Sequence, residues 1–146
     1  MRVAIVVSHF NDFITARLLD GAQQLLSEQG LAAADIEVLR VPGAFEIPIA
    51  AQRVAETGRV GAVVCLGCLI KGATPHFEYI ASACAHGITA AAAATGVPMS
   101  FGVLTTNSVE EAIDRAGNGD VNKGREAAHA ALEMARLFDT IGDERA

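Results

Sequence analysis

The sequence predicts an α/β fold: a four-stranded parallel sheet in the order 2-1-3-4 with helices on both faces. Three observations lead there. Four short runs are largely apolar and rich in Val, Ile and Leu, as strands buried on both faces are. Segments with helical spacing alternate with these runs, which calls for parallel strands joined by right-handed crossovers. The 146 residues, 51% of them hydrophobic, are enough for one domain with a substantial core and argue against disorder.

Residues 2–8 open the chain with Val3-Ala4-Ile5-Val6-Val7, the first strand. Ile14, Leu18, Leu19, Ala22, Leu25 and Leu26 then recur at helical spacing until Gly30 stops the helix. Ile36–Val41 is the second strand. Residues 45–57 repeat the helical pattern, with Pro48 tolerable only near the first turn. Residues 61–67 form the third strand, and His76–Thr95 the third helix, ended by Gly96-Val97-Pro98. Residues 99–104 are the fourth strand. Ser108-Val109-Glu110-Glu111 is a capping box that opens a short fourth helix ending near Gly117. The fifth helix runs from Asn122 to about Thr140, and only residues 142–146 read as a frayed end. No internal repeat or linker divides residues 1–146, so one domain of flavodoxin-like, three-layer α/β/α architecture is expected.

A net charge of −6 with no basic block argues against nucleic acid as a partner. No run of about 18 apolar residues exists to span a membrane. The apolar opening run is too short for a signal peptide and has no usual cleavage site. A cytoplasmic address is expected. Cys65 and Cys68 spell C-x-x-C, with Cys84 left over. A redox pair of that type needs a helix N-terminus to activate the thiol. Cys65 instead lies inside "AVVCLG", a buried strand, where residues three apart point to opposite faces. A second pair of metal ligands is also missing, so neither redox nor metal chemistry is assigned.

In open parallel sheets, ligands bind beyond the carboxyl ends of the strands. Four loops therefore matter: residues 8–12, 42–46, 68–76 and 105–107. In the third, Thr74 is a good N-cap and Pro75 a good first helical residue. A helix start leaves free N–H groups and partial positive charge, which suit a phosphate. Gly72 allows close backbone approach, and Lys71 could add charge nearby. An ordinary capped helix is the alternative. His76 would sit in the first turn, where a neutral imidazole can move protons near pH 7; a surface histidine is the plainer alternative. Phe10 and Phe45, in polar loops, could stack on a flat ring or could close the top of the core. Glu46 could accept hydrogen bonds from a heterocycle or polyol, or could favour a helix N-terminus through the dipole. Arg115 and Lys123 are cations near the "AGNGDVNKG" turn, and Glu126 is spaced to pair with Lys123.

Taken together, "HFNDFIT" (9–15), "VPGAFEIP" (41–48), "LGCLIKGATPHFEYI" (66–80), "FGVLTT" (101–106), "EEAIDRAG" (110–117) and "NKGREAA" (122–128) resemble the lumazine synthase family, in family order and over nearly the whole chain. The resemblance implies a transferase of riboflavin biosynthesis. Such an enzyme condenses 5-amino-6-(D-ribitylamino)uracil with 3,4-dihydroxy-2-butanone 4-phosphate to 6,7-dimethyl-8-ribityllumazine, phosphate and water, without cofactor or metal. It implies His76 as the proton-transfer residue and Phe10 as the stack on the pyrimidine. Ala44, Phe45 and Glu46 would hold the ribityl chain and polar atoms nearby. Cys68, Leu69 and Ile70 would line the ring's other side, largely through backbone groups. Gly72, Ala73 and Thr74 would contact the phosphate. Phe101 would come from an adjacent subunit, with Arg115 as the phosphate's cationic partner and Lys123 and Glu126 in support. Lys71 stands where many relatives carry arginine, which weakens any bidentate contact there.

Family members form pentamers with active sites between subunits. The third helix fits this, because small residues occupy almost every face and no clear polar face remains. A homopentamer is expected as the minimum unit. A free pentamer is favoured over a 60-subunit shell by Gly119-Asp120-Val121 and by the missing N-terminal extension of many relatives. Three rivals are set against this reading. A flavin or electron-transfer module would need phosphate-binding residues in "SHFNDF". A response-regulator-like domain would need an aspartate ending the third strand, which ends in Leu66-Gly67-Cys68. A catalytically weak flavin- or lumazine-binding scaffold of the same fold keeps every matched residue and is separated only by assay.

Overall fold

The structure is a computed structural model and describes residues 1–143. Four strands, β1 (Val3–Ser8), β2 (Ile36–Val41), β3 (Ala62–Ile70) and β4 (Met99–Thr106), form one parallel sheet in the order β2-β1-β3-β4. Helices α1 (Asp12–Glu28), α2 (Ile47–Glu56), α3 (His76–Thr95), α4 (Val109–Arg115) and α5 (Lys123–Asp143) cover its two faces. This is the α/β sandwich and strand order expected from the apolar runs.

Alternation along the strands divides the core in two. Val3, Ile5 and Val7 pack with Val64, Leu66 and Cys68 against α1, α4 and α5. Ala4 and Val6 pack with Val63, Cys65 and Val103 against α2 and α3. Cys65 and Cys68 therefore lie on opposite faces of the sheet, and all three cysteines are free and buried. Burial without a stabilising charge pushes the Cys68 and Cys84 thiols up to about 11 and Cys65 higher still, the reverse of a redox pair.

Several boundaries differ from the sequence expectation. β3 does not stop at Gly67 but continues to Ile70, because β4 runs alongside it to the pair Ile70↔Thr106. The loop expected at residues 68–76 therefore shrinks to 71–75, and Thr105 and Thr106 belong to β4 rather than to a loop. Thr74 is not the cap of α3. Pro75 holds that position, and its carbonyl accepts from Glu78 N–H at 3.1 Å. The helix expected over 45–57 is a 3-10 turn at Ala44–Glu46 followed by α2, which carries its proline in the first turn. Ser108 does cap α4, accepting from Glu111 N–H at 3.1 Å, but the Glu111 carboxylate reaches back to Asn107 N–H, one residue beyond the usual box. α5 extends through residues 142–143, where fraying was expected; 144–146 lie outside the described residues.

One buried side chain locks α1, α4 and α5 together. Asn122 caps α5 by accepting from Arg125 N–H at 3.0 Å, and its Nδ2 donates to the carbonyls of Arg17 (3.0 Å) and Gly117 (2.9 Å). The approach is close enough that a Cβ on Gly21 would collide with the Asn122 amide, and one on Gly124 with the Leu18 backbone. The "NKG" segment is therefore a packing requirement as well as a motif.

Candidate active site

The loops after β1 and β2 are zipped together past the ends of the strands. His9 N–H donates to Val41 O at 2.8 Å and Phe10 N–H to Pro42 O at 3.0 Å. Phe10 is thereby held beside residues 42–46, and both Phe10 and Phe45 stay exposed, at 67% and 62%. An open cleft of about 820 Å³ lies between these loops, the end of β3 and the start of α3. It collects Phe10, Ala44, Phe45, Glu46, Leu69, Ile70, Gly72, Thr74 and His76 from the expected set. Large aromatics left in water beside a mostly apolar concavity are what a flat ligand needs.

The phosphate reading keeps its physical basis although the cap is Pro75. The N–H groups of Gly72, Ala73, Thr74, His76 and Phe77 have no acceptor among the described residues. They run from the exposed loop at 71–75 into the first turn of the 20-residue helix α3. Free donors and the positive end of a helix favour an anion there. Glu46 has a structural part in its own turn and also lines the cleft. Its Oε1 accepts from Gly43 N–H at 2.9 Å, which fixes the turn, while the residue still lines the cleft.

Of the expected residues that are not in the cleft wall, two, Cys68 and Ala73, lie close to it in the chain. The Cys68 side chain is buried on the opposite face of the sheet, and its carbonyl accepts from Asn11 Nδ2 at 2.9 Å. Ala73 lies exposed in the loop between Gly72 and Thr74 without lining the cleft. Conversely, Pro42, Gly43, Phe77, Tyr79 and Ile80 line it and were not singled out from sequence. Tyr79 and Ile80 stand three and four residues after His76, so helical spacing alone marks them.

The remaining candidates form a second concavity. Phe101, Arg115, Lys123 and Glu126 line a groove of about 310 Å³ along β4, one of the two outer strands of the sheet, with Ser100 and Thr105. Lys123 Nζ pairs with Glu126 Oε2 at 2.9 Å, as their spacing predicts. Arg115 reaches only its own helix, 3.5 Å from the Glu111 carbonyl, and makes no ion pair among the described residues. The cleft and the groove share no lining residue. The chain thus carries His76, Phe10 and Phe45 in one concavity and Arg115 and Lys123 in another.

The family described as 6,7-dimethyl-8-ribityllumazine synthase matches residues 1–139. A 6,7-dimethyl-8-ribityllumazine synthase from Syntrophus aciditrophicus (strain SB) is 52% identical over 141 residues, covering 97% of this chain and 92% of the relative.

Proposed function

Because the chain belongs to the 6,7-dimethyl-8-ribityllumazine synthase family, we propose that it condenses 5-amino-6-(D-ribitylamino)uracil with 3,4-dihydroxy-2-butanone 4-phosphate. Membership itself makes it a transferase of riboflavin biosynthesis that forms the lumazine. The observation that carries the substrate assignment is the single cleft in which Phe10, Glu46, Thr74 and His76 meet.

The chemistry needs few groups. The ring amine attacks the ketone and one water leaves as the imine forms. A proton is lost from the neighbouring carbon as the C–O bond to phosphate breaks, and the resulting enol gives up its hydroxyl proton and takes one at its terminal carbon to become a ketone. The ribityl-bearing nitrogen then closes on the new carbonyl, and a second water leaves. His76 moves protons in these steps, the free N–H groups of residues 72–77 at the start of α3 receive the phosphate, and Phe10 clamps the pyrimidine. Much of the acceleration comes from holding two substrates in reacting geometry.

A phosphate at residues 72–77 calls for a cation, and Arg115 and Lys123 line a different concavity. In this reading the groove of one subunit closes the cleft of its neighbour, bringing Phe101, Arg115 and Lys123 to the site. A homopentamer is the minimum unit. The exposure of α3 supports it: only Cys84, Ile88 and Ala91 of its residues are buried, while Tyr79, Ala83, Ala90, Ala93 and Ala94 face outward. The reading keeps the cytoplasmic address; no helix among the described residues is long and apolar enough to cross a membrane. Mixing the protein with both substrates and following lumazine fluorescence tests the proposal. Ligand binding without product would leave a scaffold instead.

A further inference from the structure

Asn11 is the one non-glycine residue with positive φ among the described residues, at φ 62 and ψ 45. It sits where an asparagine ordinarily caps a helix by accepting an N–H from the first turn. Here the side chain makes no capping bond. The turn is closed without it: the Asn11 carbonyl accepts from Ile14 N–H at 2.9 Å and Thr15 N–H at 3.1 Å, and Thr15 Oγ1 donates to Ser8 O at 2.8 Å. A left-handed backbone and a forgone cap are both unfavourable locally, so the surroundings must favour them.

The amide is used elsewhere. Nδ2 donates to the Cys68 carbonyl at 2.9 Å, across 57 residues of sequence. The pairing of β1 with β3 ends at Val7↔Leu66, while β3 runs on to Ile70. Beyond Leu66, then, β3 has no strand neighbour on its β1 side. Asn11 stands in for the missing strand at that point. The residue before it is Phe10, and the residues after Cys68 are Leu69 and Ile70; all three line the cleft.

We propose that Asn11 is a positioning residue: by tying the Phe10 turn to the end of β3, it sets the separation between Phe10 and the Leu69–Ile70 wall, and so the fit of the flat pyrimidine substrate. This rests on the lumazine-forming reading above.

The test compares the full-length oligomer with Asn11→Gly, Asn11→Asp and Asn11→Ala. Glycine keeps the left-handed backbone and removes only the amide. Aspartate keeps the shape but turns an oxygen toward the Cys68 carbonyl. Steady-state kinetics with each substrate varied, together with the thermal midpoint, give the readout. The loss of one hydrogen bond predicts a rise of about fivefold in KM for the ribitylaminouracil in Asn11→Gly. KM for the butanone phosphate stays within about twofold, and the midpoint stays near the parent. Asn11→Asp is affected at least as much. Parental pyrimidine KM in Asn11→Gly would overturn the proposal, even with Asn11→Ala impaired, since only the backbone conformation would then matter. Equal rises in both KM values with a lowered midpoint would also overturn it, as general loosening. A parent that makes no lumazine would overturn the functional reading, and this inference with it.

Discussion

Asn122 Nδ2 lies 3.0 Å from the Arg17 carbonyl, joining residues 105 apart in sequence across the α1–α5 contact. The same amide serves Gly117 O, and its oxygen serves Arg125 N–H. Asn122→Ala strands all of these groups, and each buried unpaired polar group costs about 1–3 kcal/mol. Partial relaxation leaves an expected loss of about 2–3 kcal/mol. Asn122→Asp keeps the cap but loses the donors, and should destabilise comparably. Urea midpoints at fixed protein concentration measure both. A change within about 0.5 kcal/mol, the range of an ordinary surface substitution, would remove Asn122 from its linking role.

The buried thiols predict a pH dependence. Burial raises Cys68 and Cys84 from 9.0 to about 11. In the unfolded chain they ionise near 9, so between about 9 and about 11 the folded state holds more protons than the unfolded one. Their contribution to stability is complete below pH 9 and is lost as pH rises through that window. The fall in stability from pH 8.5 to 10.5 should be smaller in Cys84→Ala than in the parent. Alkylation of the folded protein by iodoacetamide at pH 8 should be slow and should track unfolding. Fast labelling without unfolding would contradict the assignment.

His76→Ala should slow turnover by about 10²-fold, the smaller end of what general acid–base groups supply. The fold and the affinity for the pyrimidine should be nearly unchanged, because His76 is exposed at the start of α3 and its ring makes no hydrogen bond among the described residues. Turnover at the parental rate with saturating substrates would exclude His76 from proton transfer.

Arg115→Ala should weaken inorganic phosphate by about 1.5–3 kcal/mol, the range of a hydrogen bond to a charged group. Binding of the pyrimidine should change little. Calorimetric titration of both variants decides, and equal phosphate affinity would take Arg115 out of the site.

Much of this molecule was legible in its sequence. The strands could be read because parallel strands buried on both faces are continuous apolar runs, as Val3–Ser8 is; Ile36–Val41, an edge strand carrying Glu37 and Arg40, is half-buried but keeps enough Val, Ile and Leu to be read. The length of β3 was hidden by Gly67, which looks like a terminator. In the sheet it is paired with Val103, and its missing side chain leaves room for Ile47 and Ser8. Phe10, Glu46 and His76 were legible because they sit just past strand ends. Thr74 was misplaced as a cap because residue preference does not reveal that the Pro75 backbone already closes the turn. Tyr79 was missed because the loop before α3 drew more weight than the helix face that continues it. The division into cleft and groove was not legible from spacing. It depends on β4 lying at the sheet edge with Phe101 half exposed, which only the register reveals.

Subunit complementation tests most directly the proposal that the site is shared between subunits. His76→Ala keeps an intact groove and Arg115→Ala keeps an intact cleft. Each variant alone should be strongly impaired at low butanone phosphate. Dissociated, mixed in equal amounts and reassembled, they should recover about one quarter of the parental rate, because in a head-to-tail ring about one interface in four joins an intact cleft to an intact groove. No recovery above the two variants measured separately, with mixed oligomers verified, would mean that His76 and Arg115 serve the same site from within one subunit or do not serve one site at all.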